Sequence, residues 1–261
     1  MYCYDDKKPI RFPSKSVFYK TASGIDLPMN LYFPDGYDEK TPLATVLCIH
    51  GGGWVAKKDN APFDFCWMRH HAVYFAERGY IGAEITYRSI DLDGVDGKDL
   101  VSDVCDAMSV LRAFPEVDEN KIGVIGDSAG GHLALCLAFA EDTALRPSVV
   151  FACNPVTDCT PETWKSLGDL GLRHEISPIE NTVYTKTKLF FYHGDSDRIV
   201  PIADSMETCR RAKEKGCDVA FQTVTGAGHA FILYGYKRTA EEINPLMDKV
   251  TAIFKETVEQ R

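Results

Sequence analysis

The chain has 261 residues, of which 45% are hydrophobic, and carries a formal net charge of −9 at pH 7. This length fits one large α/β domain whose core needs neither disulfides nor a structural metal. The ordinary apolar fraction excludes a disordered or collagen-like chain. The excess of acidic residues, without any cluster of lysines and arginines, argues against nucleic acids and anionic membranes as main partners.

No segment has the character of a membrane span or a signal peptide. The uninterrupted apolar runs, such as residues 46–49, are far shorter than the roughly 20 residues that cross a bilayer, and residues 1–12 lack an apolar stretch. The nine cysteines are odd in number and show no CxxC spacing. We therefore expect buried thiols in a reducing, cytoplasmic compartment, with no disulfide framework, no metal and no cofactor.

Strands and helices alternate along most of the chain. Residues 15–34 alternate with period two around a turn at 22–24, which predicts an N-terminal hairpin. The other predicted strands are 43–49, 80–87, 121–125, 148–153, 188–193 and 218–224. The predicted helices are 61–78, 99–114, 129–140, 202–215 and 240–257. Because most of these strands are fully apolar, the pattern predicts an α/β fold: a mostly parallel sheet with helices on both faces and the hairpin antiparallel.

Residues 156–186 interrupt this alternation. The segment is irregular and contains Pro161, Gly168, Gly171 and Pro178. A loop of this length in a compact domain is usually a lid or a binding loop. We therefore expect a single domain over residues 1–261 with a short lid or insert at about 156–186.

The strongest chemical signal is the segment GDSAG at residues 126–130, which places Ser128 between a predicted strand and a predicted helix. It matches G-x-S-x-G, in which small neighbours permit a tight turn that projects the serine hydroxyl above the sheet. The N-terminus of the following helix favours developing negative charge. The pattern predicts a nucleophile at Ser128. The alternative interpretation is a glycine-rich turn that only packs a helix against its strand.

The second signal is the segment HGGG at residues 50–53, directly after a predicted strand. Consecutive glycines allow backbone N–H groups to point into a cavity, which is what an oxyanion hole requires. A flexible turn and a phosphate-binding loop are the alternatives. A phosphate loop does not fit, because neither G-x-G-x-x-G nor G-x-x-x-x-G-K-[ST] occurs at either glycine cluster.

A nucleophilic serine needs a base, and the base needs an acid that orients it. In strand-turn-helix serine hydrolases the acid and then the histidine follow the serine along the chain. His229 lies in the loop after the last predicted strand, where parallel sheets place their sites, and is the predicted base. Asp195 and Asp197 compete for the role of acid in the loop after the preceding strand. We favour Asp197, which lies further beyond the strand, whereas Asp195 suits a role in bracing the turn.

Other polar residues near these motifs receive structural interpretations. Asp127 is interpreted as a turn or hydrogen-bonding residue, His50 as a residue that orders the glycine loop, and His132 as a structural residue of the following helix. The pair His70 and His71 lies on a predicted helix without metal-ligand partners, and we interpret it as helix surface.

Four aromatic residues follow or border the site loops: Trp54, Tyr87, Trp164 and Phe231. By position, Trp54 and Phe231 are the candidates for lining a substrate pocket. An ordinary place in the hydrophobic core is the alternative for each of them.

Four segments together resemble the α/β-hydrolase superfamily, and within it the HGGG esterases similar to hormone-sensitive lipase. These segments are HGGGW at 50–54, GDSAGG at 126–131, DSDRIVP at 195–201 and GAGHAF at 226–231. The resemblance runs from about Thr41 to the C-terminus. The compact size is more similar to the small bacterial acetyl xylan and feruloyl esterases than to the capped lipases.

The resemblance implies a catalytic triad of Ser128, Asp197 and His229, with oxyanion donors at the backbone N–H groups of Gly52, Gly53 and Ala129. The implied activity is hydrolysis of short acyl esters by a serine carboxylesterase, with acetylated xylan-derived oligosaccharides as expected substrates. Only about 15 residues precede the first predicted strand, so the long N-terminal cap of lipid-hydrolysing relatives is not expected. An arylformamidase or small amidase and a non-catalytic small-molecule binder are the alternatives.

Overall fold

The computed structural model describes residues 11–38, 40–55, 66–160, 162–163, 171 and 173–260. The strands in these ranges are β1 Lys15–Ala22, β2 Ile25–Tyr32, β3 Leu43–Ile49, β4 Ile81–Ile85, β5 Val117–Asp127, β6 Val149–Cys153, β7 Lys188–Gly194 and β8 Val219–Val224. The helices are α1 Cys66–Ala76, α2 Gly97–Arg112, α3 Ala129–Ala138, α4 Ile202–Glu214 and α5 Ala240–Glu259. Trp164 and the predicted start of the first helix at 61–65 lie outside the described residues.

The strands form one sheet in the order β1-β2-β4-β3-β5-β6-β7-β8. β2 pairs antiparallel with β1 and with β4, and all the other neighbouring strands are parallel. The predicted fold is thereby confirmed. The largest difference in bounds is at β5, which begins at Val117 instead of residue 121. The polar residues 118–120 do not match the pattern of a buried strand, so the sequence does not predict this extension. The pairing register between β5 and β3 shifts in the same place, between Leu43 and Thr45.

Helices cover both faces of the sheet. Alternate residues of β3 show the division, because Leu47 and Ile49 pack in one core cluster and Val46 and Cys48 in the other. The first cluster includes residues of α2, α3 and α4, and the second includes residues of α1 and α5. The parallel strands are therefore buried on both sides, and their carboxyl ends remain free to carry the loops of a site.

The interpretation of His70 and His71 as helix surface is wrong. Their exposed fractions are 5% and 0%, and both rings pack beside Tyr234. His71 Nε2 lies 3.2 Å from the carbonyl oxygen of Ile232. Burial, together with the neighbouring His71 and Arg69, lowers the pKa of His70 to about 2. The two histidines are buried by tertiary packing, because α1 lies between the sheet and the loop that follows His229.

The structure describes the side chains of seven cysteines, all as free thiols. Five of them are buried: Cys48, Cys153, Cys159, Cys209 and Cys217. In the described ranges we find no cluster of three His, Cys, Asp or Glu side chains with a geometry that could hold a metal ion. No described helix combines the length and the apolar character that crossing a bilayer requires.

A buried ion cluster ties α2 to the end of β4 and to β1. The guanidinium of Arg88 contacts Asp103 at two points, with Nε 2.9 Å from Oδ2 and Nη2 2.8 Å from Oδ1. Lys20 Nζ lies 2.7 Å from the same carboxylate, whose side chain is fully buried. Two-point contacts of this kind fix both distance and orientation.

The substitution Asp103→Ala should lower the free energy of unfolding by about 3 kcal/mol, because it removes the bidentate partner of a buried guanidinium. Asp106→Ala is the matched control, since Asp106 contacts the same Lys20 but its side chain is 48% exposed. The control should cost less than about 1 kcal/mol. Urea unfolding measures the free energy of unfolding of both variants. Equal decreases in the two variants would contradict the interpretation of Asp103 as the buried partner of Arg88.

Candidate active site

Ser128 occupies the strained turn between β5 and α3. Its φ of 54° and ψ of −117° lie in a region that residues with a side chain rarely adopt. The neighbouring glycines explain how the turn fits. A Cβ on Gly126 would lie 2.2 Å from the carbonyl oxygen of Gly130, and one on Gly130 would lie 2.1 Å from that of Ile49. The small residues of the motif are therefore required by the close approach of α3 to the strand ends.

The structure brings Ser128, His229 and Asp197 together in one chain of hydrogen bonds. His229 Nε2 lies 2.9 Å from Ser128 Oγ, and His229 Nδ1 lies 2.7 Å from Asp197 Oδ2. A carboxylate only accepts hydrogen bonds, so Nδ1 carries the hydrogen and Nε2 is left to accept from the serine hydroxyl. This arrangement can move the proton of Ser128 onto the imidazole.

Asp197 is held ionised by its surroundings. Burial alone would raise the pKa of this carboxyl, but hydrogen bonds from His193 and His229 and from two backbone N–H groups hold it well below the usual range. The backbone donors are Ile199 and Val200, at 2.8 Å and 3.1 Å from Oδ1. His193, to which the sequence analysis assigns no role, is a further partner of this carboxylate. It is fully buried, and its Nε2 lies 3.3 Å from Asp197 Oδ2.

Asp195 has a different partner. Its Oδ1 accepts from the backbone N–H of Gly226 at 2.8 Å, in the loop that carries His229. The N–H of Ser196 donates to the carbonyl of Ala227 at 3.0 Å beside it. Asp195 therefore joins the loops that carry Asp197 and His229, and Asp197 is the carboxylate that contacts the His229 imidazole.

The glycine loop runs over the serine turn in left-handed backbone conformations. The φ angles are 101° at Gly52, 68° at Gly53 and 60° at Trp54. His50 belongs to the base of the loop: its Nδ1 lies 2.7 Å from the carbonyl oxygen of Gly51, and its ring stacks on Tyr87 with centroids 4.4 Å apart. The hydroxyl of Tyr87 donates to the carbonyl of His50 at 2.8 Å, which fixes the loop from below.

A cavity of about 310 Å³ opens at the serine. Its lining residues are Gly52, Gly53, Trp54, Asp127, Ser128, Val156, Ile199, Val200, His229, Ala230, Leu233 and Tyr236. Most of these side chains are apolar. Ile199 and Tyr236 are 59% and 52% exposed, so they form an apolar rim at the mouth. The sequence analysis does not predict this rim. Among the described residues of the segment 156–186, Val156 lines the cavity.

The two aromatic pocket candidates differ in their placement. Trp54 lines the cavity, although its side chain is only 1% exposed. The expectation for Phe231 is corrected, because this residue is 2% exposed and lines a separate cavity beside α5, together with Ile243 and Leu246. Ala230 has a left-handed φ of 60°, so the chain turns sharply just before Phe231.

Asp127 is a buried carboxyl directly before Ser128 in the chain. Its Oδ1 accepts from Asn154 Nδ2 at 3.1 Å. Burial raises the pKa of Asp127 to about 6, although the nearby His229 and the bond from Asn154 pull it down. The site therefore carries a second carboxyl that ionises only at a cost to the fold.

The substitution Asp127→Asn should stabilise the protein in a pH-dependent way. A carboxyl whose folded pKa is raised loses stability as pH climbs from its unfolded pKa, near 4, through its folded pKa, near 6. The variant escapes this loss, so its free energy of unfolding relative to the native chain should rise by about 3 kcal/mol between pH 4 and pH 8. Urea unfolding at a series of pH values measures the difference, and a pH-independent difference would refute this reading of Asp127.

Comparisons with known proteins find esterases of the same fold. The model of the BD-FAE family, an α/β-hydrolase esterase family, matches residues 29–155, which include the glycine loop and the serine turn. The esterase Est2 of Thermogutta terrifontis with bound propionate has a TM-score of 0.78 and 23% identity, covering 92% of this chain and 94% of that one. The same esterase phosphonylated by sarin has a TM-score of 0.81 and 23% identity, covering 95% and 96%.

The chain therefore has the α/β-hydrolase fold. The family that matches residues 29–155 and these structural neighbours are esterases of that fold.

Curated relatives with detectable sequence similarity include non-reducing polyketide synthases of fungi. The chain is 30% identical to pkbA of Emericella nidulans over 175 residues, which is 61% of this chain and 6% of that protein. It is 32% identical to ascC of Acremonium egyptiacum over 150 residues, which is 54% of this chain and 7% of that protein. The chain therefore spans only a small part of the length of these relatives.

Proposed function

We propose that the protein is a serine carboxylesterase that cleaves esters of short acyl groups. The observation that carries this proposal is the unbroken hydrogen-bond chain from Ser128 through His229 to Asp197 at the wall of an apolar cavity. Its three members come from three separate parts of the chain, and their atoms lie in the order that acyl transfer requires.

The reaction proceeds by two acyl transfers. His229 accepts the proton of Ser128 as Oγ attacks the ester carbonyl carbon, and Asp197 stabilises the imidazolium that forms. His229 then gives this proton to the leaving alcohol. Water then attacks the acyl-serine as the same imidazole takes its proton. The imidazolium returns this proton to Ser128 Oγ as the bond between Oγ and the acyl carbon breaks, which releases the acid.

The oxyanion of each tetrahedral intermediate needs donors that are already in place. We assign these to the backbone N–H groups of Gly52, Gly53 and Ala129. Gly52 and Gly53 line the cavity beside Ser128, and their positive φ angles hold the loop in a conformation that favours glycine. Ala129 is the first residue of α3, where the unsatisfied N–H groups of the helix favour negative charge.

The cavity wall suggests the acyl part of the substrate. Val156, Val200 and Leu233 present aliphatic side chains, which suit a short alkyl chain better than a charged or polar group. The esterase of similar fold from Thermogutta terrifontis has been seen with propionate and with butyrate bound, which are acids of this size.

The exposed rim suggests the alcohol part. Tyr236 is half exposed at the mouth of the cavity, and an aromatic ring in that position can stack on a pyranose. Trp54 does not offer such a surface, because its ring is buried. We therefore propose acetylated oligosaccharides of the xylan type as the natural substrate class, with the sugar lying against Tyr236.

The substitution Ser128→Ala should lower kcat on p-nitrophenyl butyrate by about 10³-fold or more, because it removes the attacking oxygen while leaving the cavity intact. A fluorophosphonate probe should add its mass to the native chain and not to the variant. Ser196→Ala is the control, since this hydroxyl contacts Asp195 instead of the imidazole. Near-native turnover of Ser128→Ala would refute the assignment of the nucleophile.

Because the proposed substrates are esters of short acyl groups, a series of p-nitrophenyl esters should give the highest kcat/KM between acetyl and butyryl, with a fall of at least about tenfold by octanoyl. Acetylated xylooligosaccharides test the alcohol side. Tyr236→Ala should raise KM for these oligosaccharides and leave methyl butyrate unaffected. A preference for octanoyl would contradict the acyl assignment, and equal KM values for the native chain and Tyr236→Ala would contradict the sugar assignment.

A further inference from the structure

Trp54 closes the glycine loop and is held at both its backbone and its side chain. Its φ of 60° is left-handed, which is uncommon for a residue with a side chain and needs support from its surroundings. The carbonyl oxygen of Trp54 accepts from the backbone N–H of Ile90 at 2.8 Å and from Ser89 Oγ at 3.4 Å. This support comes from the segment after β4.

The indole of Trp54 connects the same loop to the helix of the nucleophile. Its Nε1 donates to His132 Nδ1 at 3.1 Å, and the two rings meet edge to face with centroids 5.5 Å apart. His132 lies in the first turn of α3, and its backbone N–H donates to the carbonyl of Ser128 at 3.0 Å. A single side-chain bond therefore spans the gap between the loop with the proposed oxyanion donors and the turn with the nucleophile.

The partner of the other ring nitrogen determines the tautomer of His132. Its Nε2 lies 2.8 Å from the carbonyl oxygen of Ile176. A carbonyl oxygen only accepts, so Nε2 carries the hydrogen and Nδ1 is the acceptor that the indole N–H requires. Cys136 Sγ, 3.6 Å from the same carbonyl, can donate its weak S–H there without altering this pattern.

The imidazole of His132 stays neutral in this position. It is fully buried, and burial lowers the pKa of His132 to about 4, even though the bond to Ile176 favours the charged form. A protonated ring would set a donor against the indole N–H. The bond between the two rings therefore persists at neutral pH.

A purely structural role would not require this chemistry. Burying polar ring atoms costs free energy unless each is paired, and apolar side chains would fill the same space without that cost. The hydrogen bond adds orientation, because it sets the angle of the indole and hence of the backbone to which it is attached. Oxyanion donors act only when they lie about 3 Å from the developing charge, so the position of this loop governs their effect.

We infer that His132 is a positioning residue of the oxyanion loop. Its neutral Nδ1 holds the indole of Trp54, and Trp54 in turn fixes the left-handed backbone of Gly52 and Gly53 beside Ser128. The carbonyl of Ile176, in the segment 156–186, sets the tautomer that makes this possible. The inference rests on the proposed esterase function and assigns Trp54 to the support of the loop instead of to sugar binding.

Steady-state kinetics on p-nitrophenyl butyrate, with urea unfolding of each variant, tests the inference. His132→Leu removes the acceptor and should lower kcat by about tenfold or more with KM changed less than about twofold, because the lost interaction acts in the transition state. His132→Gln keeps both an acceptor and a donor and should recover most of kcat. Trp54→Phe should resemble His132→Leu, and the double variant should be no slower than the slower single variant.

Thr187→Val is the matched control for a lost buried hydrogen bond. The Thr187 hydroxyl donates to the carbonyl of Pro147 at 2.7 Å, at the amino ends of β6 and β7 and so at the opposite edge of the sheet from the site, and this variant should lose stability and keep its kcat. A native kcat in His132→Leu or in Trp54→Phe would overturn the inference. The inference would also be overturned if the fold decreases in kcat of the two single variants multiplied in the double variant. If His132→Leu does not fold, Trp54→Phe and His132→Gln decide the matter by the same criteria.

The same data separate this inference from the proposed function. Turnover that requires Ser128 but is indifferent to His132 and Trp54 refutes the positioning role alone. Absence of any Ser128-dependent turnover in the native chain refutes the esterase function, and the positioning role falls with it.

Discussion

The site depends on the close contact between the start of α3 and the end of β3. A side chain on Gly130 would collide with the carbonyl oxygens of Ile49 and His50, at 2.1 Å and 2.6 Å from its Cβ. Because this side chain is absent, the helix can approach the strand end. The glycine loop after β3 and the serine turn after the adjacent β5 then lie side by side. The cavity, the proposed oxyanion donors and the bond from Trp54 to His132 all follow from that approach.

Much of this arrangement could be predicted, because it depends on local patterns and on chain order. The apolar strands and their alternation with helices led to the sheet type, and the small residues around Ser128 led to the turn. His229 could be paired with the serine since each follows a parallel strand, and such strands end at one edge. Asp195 and Asp197 follow the same strand two residues apart, so their positions only favour Asp197. Their contacts distinguish them, because Asp197 contacts the His229 ring and Asp195 contacts the backbone of Gly226.

The remaining features depend on contacts between distant segments. Phe231 has the aromatic side chain and the chain position expected of a pocket residue. The backbone turns at Ala230 just before it, in a left-handed conformation that no periodic sequence pattern reveals. His70 and His71 look polar in sequence and are buried only because the loop after His229 covers α1. The rim of Ile199 and Tyr236 combines residues from two loops, which no local pattern brings together.

The three members of the proposed triad do not share the same protection from local unfolding. Ser128 follows β5 in the middle of the sheet, whereas the acid and base loops follow β7 and β8, and β8 is an edge strand whose residues are half-buried or exposed. Edge elements with few buried contacts open at a lower free energy than central strands. Transient fraying of this edge would displace the loops of Asp197 and His229 together, since Asp195 and Gly226 join them, while the turn of Ser128 stays folded. The proposed catalytic geometry therefore depends on the local stability of this edge of the sheet as well as on the global stability of the fold.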